Sequence, residues 1–527
     1  MSTLSGDNEI VFTLKTCPVH KQCSSRHVLD ATVPRGCSFD YGVMIAVGLL
    51  RWAFSCQREE IRTLLSARGI SISTGEISVL SEQFLLRFYC VHMRHLPRTV
   101  PVNHVLHLDG TGEAGREIVF MAKEGRTGMT IDARSMPSES EEKIMPFLER
   151  VKSTAGVPIA IVRDMSETIR KAAATVFPGI IQLICHYHFV RDLGDAVFGR
   201  YSEFRAAVVG TKALAAIVAI EAPSDCVGID GAERLWAALA SEYILHPREA
   251  ASRFPMTLPY VDVMDRCMEV GRLARKIIVW NMFNNRKVTE MMDLDSAVKR
   301  LCVRGSEALK LYHMLRRIRS WFERMREALG VSRELSSHSA SDRPLDADSA
   351  AKKVNYTLKK IVAEGSSLSD ELKRTSLIFE NRIKTHYDEL FAQVKGADGA
   401  PVDVVRHNGA EEIGHRWSRM RTRRRTGRSG TSREMAMYGA LLAVFSNMWN
   451  THYAAALSEM DFAGEMCSVT GREMAEARKL IRPNPRVPIV RNDGDRCTLL
   501  HEFIKIIEKY DTGMEGHMKR WVSAVKT

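Results

Sequence analysis

Apolar residues recur at helical spacing between positions 40 and 95, shift to the shorter period of strands from about 105, and return to helical spacing after 200. The first stretch predicts three helices: an apolar segment over 41–54, a second helix over 59–68 and, past a turn at Gly69, a third that opens at Ser73-Thr74. Helix, glycine turn and Ser/Thr-capped helix is the outline of a helix-turn-helix, with 75–81 as its recognition helix. An ordinary three-helix scaffold gives the same pattern, because few charges lie on 75–81.

The next hundred residues predict a sheet. Strands are expected at 105–109, 117–122 and 129–134, the last two separated by Lys123-Glu124-Gly125-Arg126-Thr127-Gly128 with its turn glycines. Residues 141–152 read as a helix with Ile144, Phe147, Leu148 and Val151 on one face. A fourth strand ends at Asp164, another helix begins at Ser166, and a fifth strand covers 179–185. Three antiparallel strands, helix, strand, helix, strand is the element order of a ribonuclease-H-like sheet. In that order the first and fourth strands are neighbours.

The fold class expected is therefore α/β plus all-α: a mixed five-stranded ribonuclease-H-like sheet with a large helical insertion, preceded by a helix-turn-helix domain. The expected divisions are an N-terminal segment 1–39, a helix-turn-helix domain 40–100, a first catalytic part 101–200, a helical insertion 201–400, a second catalytic part 401–465 and a C-terminal tail 466–527. Trp236, Trp280 and Trp321 read as core of the insertion, with stacking on an unpaired base as the alternative. Residues 336–351 read as an exposed connection, and the tail as a Pro-containing linker followed by a helix over 499–509.

Composition narrows the class of partner. The chain has 527 residues, enough for about three to five units at the usual roughly 100 to 200 residues per domain. Lys and Arg total 75 against 63 acids, a net charge of +12 that favours a polyanion. The 11 cysteines, odd in number and scattered, read as reduced thiols in a cytoplasmic protein, nucleoid-associated if bacterial. No signal-peptide pattern opens the chain, and its longest apolar stretch, 43–54, is interrupted by Arg51 and too short for a bilayer, so no membrane partner is expected.

The chemistry concentrates at a few positions. Asp109 and Asp164 each end a strand, and two adjacent carboxylates invite divalent metal. A third acid is available in Arg406-His407-Asn408-Gly409-Ala410-Glu411-Glu412, which opens a helix. Directly downstream, Arg416, Arg419, Arg421, Arg423, Arg424, Arg425 and Arg428 form a run of seven arginines without an acid. Such a run is usually a solvated face, but beside a metal ligand it reads better as neutralising a phosphate backbone. Cys17, His20, Cys23 and His27 are a candidate zinc site, although the gap between the two ligand pairs is short and an incidental loop is the alternative.

The set resembles the DDE-type transposases of the Mutator-like and related bacterial insertion-sequence groups. The resemblance rests on Leu108-Asp109-Gly110-Thr111, Asp164 before a helix, Cys185-His186-Tyr187-His188, and Asn408-Gly409-Ala410-Glu411 followed by basic residues and Thr426-Gly427-Arg428. It covers residues 100–450, with the helical insertion between the second Asp and the Glu. The family pattern implies Asp109, Asp164 and Glu411 as the catalytic, metal-holding triad, with Glu412 adjacent as the competing third acid. The familiar Thr-Asn-Asn lead-in is here Arg406-His407-Asn408. Cys185 and His188 are implied to support the active site, a buried Cys with a hydrogen-bonded His being the alternative.

The implied activity is strand cleavage at element ends and 3′-hydroxyl transfer into target DNA, with two Mg2+ ions (Mn2+ as substitute) and no nucleotide cofactor. The implied partners are double-stranded DNA and a second copy of the chain, in a homodimer or higher oligomer. The rival readings are a ribonuclease-H-like nuclease that only hydrolyses, and a domesticated DNA-binding protein without catalysis.

Overall fold

The computed structural model describes residues 2–3, 6–7, 33–34, 37–112, 118–220, 228–245, 254–286, 288–331, 346–406, 409–428 and 431–481, the side chains of 2–3, 6–7, 112, 409–417 and 432 lying outside that description. The chain divides into two compact units, one of residues 1–189, 328–354 and 386–487, the other of 190–327, 355–385 and 488–527. It is a mostly helical α/β protein.

The first unit is built on a mixed five-stranded sheet of β1 (Val105–Gly112), β2 (Ile118–Glu124), β3 (Thr130–Met136), β4 (Ala160–Arg163) and β5 (Ile181–Ile184), in the order β3-β2-β1-β4-β5. β1, β2 and β3 pair antiparallel, whereas β4 and β5 run parallel to β1. The helix α4 (Glu141–Ala155) forms where the apolar stripe predicted it, and Ile144, Phe147, Leu148 and Val151 are all buried. Its Phe147 meets Phe120 of β2 edge to face, with ring centroids 5.4 Å apart. Burying such side chains contributes about 1.5–3 kcal/mol each, so this stripe alone commits the helix to the sheet. α5 (Glu167–Val176) packs beside α4, and α6 (His186–Val197) begins immediately after β5.

The N-terminal helices α1 (Tyr41–Gly48), α2 (Arg58–Ser66) and α3 (Thr74–Thr99) share the sheet's core. α3 opens on the expected cap: Ser73 Oγ accepts from the Glu76 amide, and the Glu76 carboxylate accepts in return from the Ser73 amide. It then runs for 26 residues, so the segment 75–81 is the start of a long helix rather than a short one. Its Phe84 and Phe88 close on Phe445 of α8 (Ser432–Phe445), at 5.9 and 5.0 Å between centroids. α7 (Gly409–Thr426) precedes α8 in the chain. Gly48 lets α1 approach: a Cβ there would overlap the Phe84 ring. α8 packs on β2 and β3, so the helical head and the sheet form one apolar interior.

The second unit is all-helical among its described residues, with long helices at Pro259–Phe283 and Asp370–Thr385. Trp321 is fully buried there, its indole donating to Glu364 at 2.7 Å and its ring edge-on to Phe379, as the core reading expects. Trp280 is instead 48% exposed beneath the Arg286 guanidinium. Among the described residues no helix is long and apolar enough to cross a membrane. Residues 347–351, expected as the end of an exposed connection, instead open the helix Ala347–Ser366 with Ala350 and Ala351 buried; 336–345 and the 499–509 helix lie outside the described residues.

β3 is an edge strand, and Asn447 supplies the partner that a further strand would have given it. The Asn447 side chain accepts from the Thr130 amide at 2.7 Å and donates to the Thr130 carbonyl at 2.8 Å. Asn447→Ala leaves both backbone groups buried and unpaired, a loss of about 1–3 kcal/mol. It should lower the urea midpoint of the first unit's unfolding and accelerate hydrogen exchange at the Thr130 amide. Unchanged exchange there would show that the edge is held by other contacts.

Candidate active site

The parallel register sets the geometry of the site. Val105, Leu106 and His107 of β1 lie opposite Ala160, Ile161 and Val162 of β4. Continued by two residues, that register places Asp109 beside Asp164. The pairing of Arg163 with Ile184 across β4 and β5, continued by one residue, places Cys185 on the far side of Asp164. The Cys185 amide donates to the Arg163 carbonyl at 2.7 Å, extending the ladder to that point. β1 runs on to Gly112, past the end expected at Asp109, so Asp109 lies inside that strand while Asp164 and Cys185 each follow the last residue of theirs; the register still brings the three abreast, and α6 adds His188 one turn later.

Each backbone position is fixed locally. Asp109 is buried and accepts from the Gly110 amide at 3.0 Å, while Asp164 accepts from the Ser166 amide at 2.8 Å as α5 begins. Arg163, fully buried, reaches back to clamp the turn: its guanidinium donates to the Asp164 carbonyl at 2.8 Å, to Gln182 at 2.9 Å and to Glu389 at 2.5 Å. On the far side of β5, the His186 amide donates to the Arg406 carbonyl at 2.7 Å. Buried Arg406 itself donates to the Leu390 and Ala392 carbonyls, both at 2.6 Å. That clamp seats the segment leading into α7.

A fifth ionisable group, Glu139, joins the cluster. It lies on the connection between β3 and α4, and its carboxylate occupies the space a Cβ on Gly110 would need. Glycine at 110 is therefore what admits Glu139 to the site. Burial, then the charges of Asp164 and Asp109, raise the Glu139 carboxyl above its ordinary value against the pull of His188. Asp164 is likewise raised, by burial first and by Asp109, against the Ser166 amide, His188 and Arg163. Burial works against a charged His188, but Cys185, through charge and a hydrogen bond, and the two aspartates outweigh it and push the imidazole up to about 10. His188 is the local cation among crowded acids. His186, by contrast, is held neutral, lowered to about 4 by burial and by Arg406.

Among the described residues no group of three or more His, Cys, Asp or Glu is arranged to hold a metal ion. Asp109 and Asp164 nevertheless fit one: they offer hard oxygen donors abreast on adjacent strands, in a partly desolvated place where their own repulsion favours a cation. Glu411 and Glu412 lie in the first turns of α7 and Arg416 in the same helix, but their side chains are outside the described residues. α7 does pass the site, because Arg419 donates to Thr111 at the end of β1 at 3.4 Å.

The rest of the arginine run divides by helical phase. Arg421 lies over the Trp449 ring at 3.4 Å, and Arg425 is buried against Glu434 at 2.7 Å and over Trp52 at 4.5 Å. Arg423, Arg424 and Arg428 are exposed. Cys17, His20, Cys23 and His27 lie outside the described residues. Reading by sequence alone passed over Glu139, Arg163 and the Arg406 clamp; only Gly110, next to Asp109, marked the space that Glu139 fills. No protein-family model matches the chain, and no curated protein sequence matches it.

Raised carboxyl pKa values mean that the fold favours the neutral acids. The stability they contribute is present below the unfolded-chain carboxylate values, about 3.9–4.3, and is lost as pH rises through the higher folded values. In chelator at pH 7, Glu139→Gln should therefore raise the melting temperature of the first unit, and the advantage should vanish below about pH 4. A lower melting temperature at pH 7 would place Glu139 outside the repulsive cluster.

Proposed function

We propose that this chain is a DNA transposase acting by metal-dependent strand cleavage and strand transfer, on a ribonuclease-H-like catalytic domain. The observation that carries the reading is the β1–β4 register, which aligns Asp109 with Asp164 at one sheet edge past which α7 runs. The sheet order β3-β2-β1-β4-β5 and the helical region that separates Asp164 from α7 in the chain support the same assignment. The motif resemblance adds the reaction class.

In this reading Asp109, Asp164 and Glu411 hold two Mg2+ ions, which when bound supply the Lewis acidity that activates a nucleophile and stabilises a leaving oxygen in an in-line displacement. The chain's own part is positional and electrostatic. Arg163 and the Ser166 amide fix Asp164 so that its carboxylate does not reorganise during reaction. Arg419 and the exposed arginines of α7 screen the phosphate backbone next to the acids. His188, charged and bonded to Cys185, offsets the repulsion of the carboxylates before metal arrives.

The test uses the full chain with Mg2+ or Mn2+ and the DNA that flanks its own coding sequence. Cleavage leaving 3′-hydroxyls, followed by joining to a target plasmid, is expected. Asp109→Asn should reduce cleavage by more than about a hundredfold, the scale for losing one preorganised electrostatic contact to developing charge, with DNA affinity unchanged. Glu411→Gln should do the same and Glu412→Gln should not; the opposite result transfers the role to Glu412. Cleavage without joining would favour the hydrolytic nuclease, and full activity in Asp109→Asn would remove the assignment.

A further inference from the structure

Away from the carboxylates, the first unit has a cavity of about 470 Å³ between the start of α3, the end of α7 and α8. Five arginines line it, Arg51, Arg58, Arg425, Arg428 and Arg433, against two acids, Glu59 and Glu434. Both acids are already engaged. Glu434 pairs with Arg425 at 2.7 Å and lies 3.8 Å from Arg51, and Glu59 pairs with Arg62 at 2.7 Å. The lining therefore keeps an excess of three positive charges, five less two. Among the described residues neither Arg428 nor Arg433, both exposed, has an ion-pair partner.

Side-chain hydroxyls face the same space. Thr74 and Ser78, in the first turns of α3, line the cavity, and Arg58 is bonded to Ser78 at 3.1 Å. Arg51 is buried deeply enough to be lowered to about 10, by desolvation and by Arg425 and Arg58, against Glu434. Its guanidinium donates to the Arg425 and Cys56 carbonyls and so ties α7 to the helical head. A cavity of this size admits a nucleotide-sized group, and its charge excludes an apolar or cationic ligand.

We propose that this cavity is a phosphate-binding site and that the phosphates belong to the sugar-phosphate backbone of a DNA strand. The chemistry of the lining calls for phosphate; the choice of DNA over a free nucleotide or pyrophosphate rests on the transposase reading. Arg428 and Arg433 grip the backbone from the rim, and Arg51 and Arg425 form the charged floor.

The variant Arg428→Ala/Arg433→Ala removes the two rim guanidiniums without touching the buried Arg425–Glu434 pair. Binding of a fluorescent duplex to the full chain is measured in chelator, with inorganic pyrophosphate titrated separately. The control is Arg68→Ala/Arg472→Ala, which removes the same charge from exposed positions elsewhere in the first unit. The expected result is a loss of duplex affinity of about tenfold or more and a salt-dependence slope smaller by about 2, roughly 0.9 for each phosphate contact, with the control near wild type.

Lost pyrophosphate binding with unchanged duplex binding would keep the phosphate site but assign it to a free ligand. Equal losses in variant and control, or no loss of either ligand, would overturn the site. Because no cleavage is read, these results are independent of the carboxylates. A chain that binds DNA through this cavity yet cuts nothing with Mg2+ sinks the transposase reading alone.

Discussion

The parallel pairing of β1 with β4 is the constraint on which the candidate site depends. Leu106, Leu108, Ile161 and Val162 are fully buried, and strand side chains alternate between faces. Ile161 and Val162 face opposite sides and both are buried, so a slip of one residue would exchange side chains of different shape between two packed faces and carry Asp109 away from Asp164. The hydrophobic interior therefore enforces a meeting of two carboxylates that repel one another. The Asp164 carboxyl is raised by burial first and by Asp109 after it, and the fold offsets part of this with the Ser166 amide and the charges of His188 and Arg163.

A second constraint lies on the route to α7. Arg406 and His186 spend their polarity on backbone carbonyls of the segments around Leu329, Leu390 and Ala392. A neutral imidazole has one N–H to donate, and His186 has a carbonyl at each nitrogen, so the arrangement is held by burial and by Arg406 as much as by the histidine itself. These buried contacts fix where the chain re-enters the first unit after its helical excursion. They take part in no chemistry, yet α7 begins only three residues later.

The strands and the apolar face of α4 were legible because local periodicity decides them, and the two aspartates were legible because each follows an apolar strand run, although β1 continues past Asp109 to Gly112. Glu139 was not. It stands in Pro137-Ser138-Glu139-Ser140, a polar connection without a period, and its place among the acids follows from the close packing that Gly110 permits. The arginine run was legible as charge but not as structure: helical phase buries Arg425, lays Arg421 on Trp449 and leaves Arg423 and Arg424 at the surface, while Arg428 lies past the end of α7. The helices over 40–100 were likewise recognisable singly, while their shared core with Phe445 joins residues some 350 positions apart and leaves no local trace. Trp280, grouped with Trp321 by spacing, differs because its helix ends at Phe283 and leaves the ring half open to solvent.

The net charge of +12 is an average over opposed local fields. At the sheet edge three acids are crowded around one imidazolium, whereas the cavity at the end of α7 is lined by five arginines and two paired acids. A phosphodiester strand is attracted to the second and repelled by the first, since like charges at about 4 Å in a partly desolvated site oppose each other by roughly 4 kcal/mol at an effective dielectric of 20. On the transposase reading, a polyanion would be held by the arginines without any metal, and a bound cation would reverse the field at Asp109 and Asp164 before it approached. In the proposed function, that separation makes binding and chemistry distinct events, with the metal acting as the condition for the second.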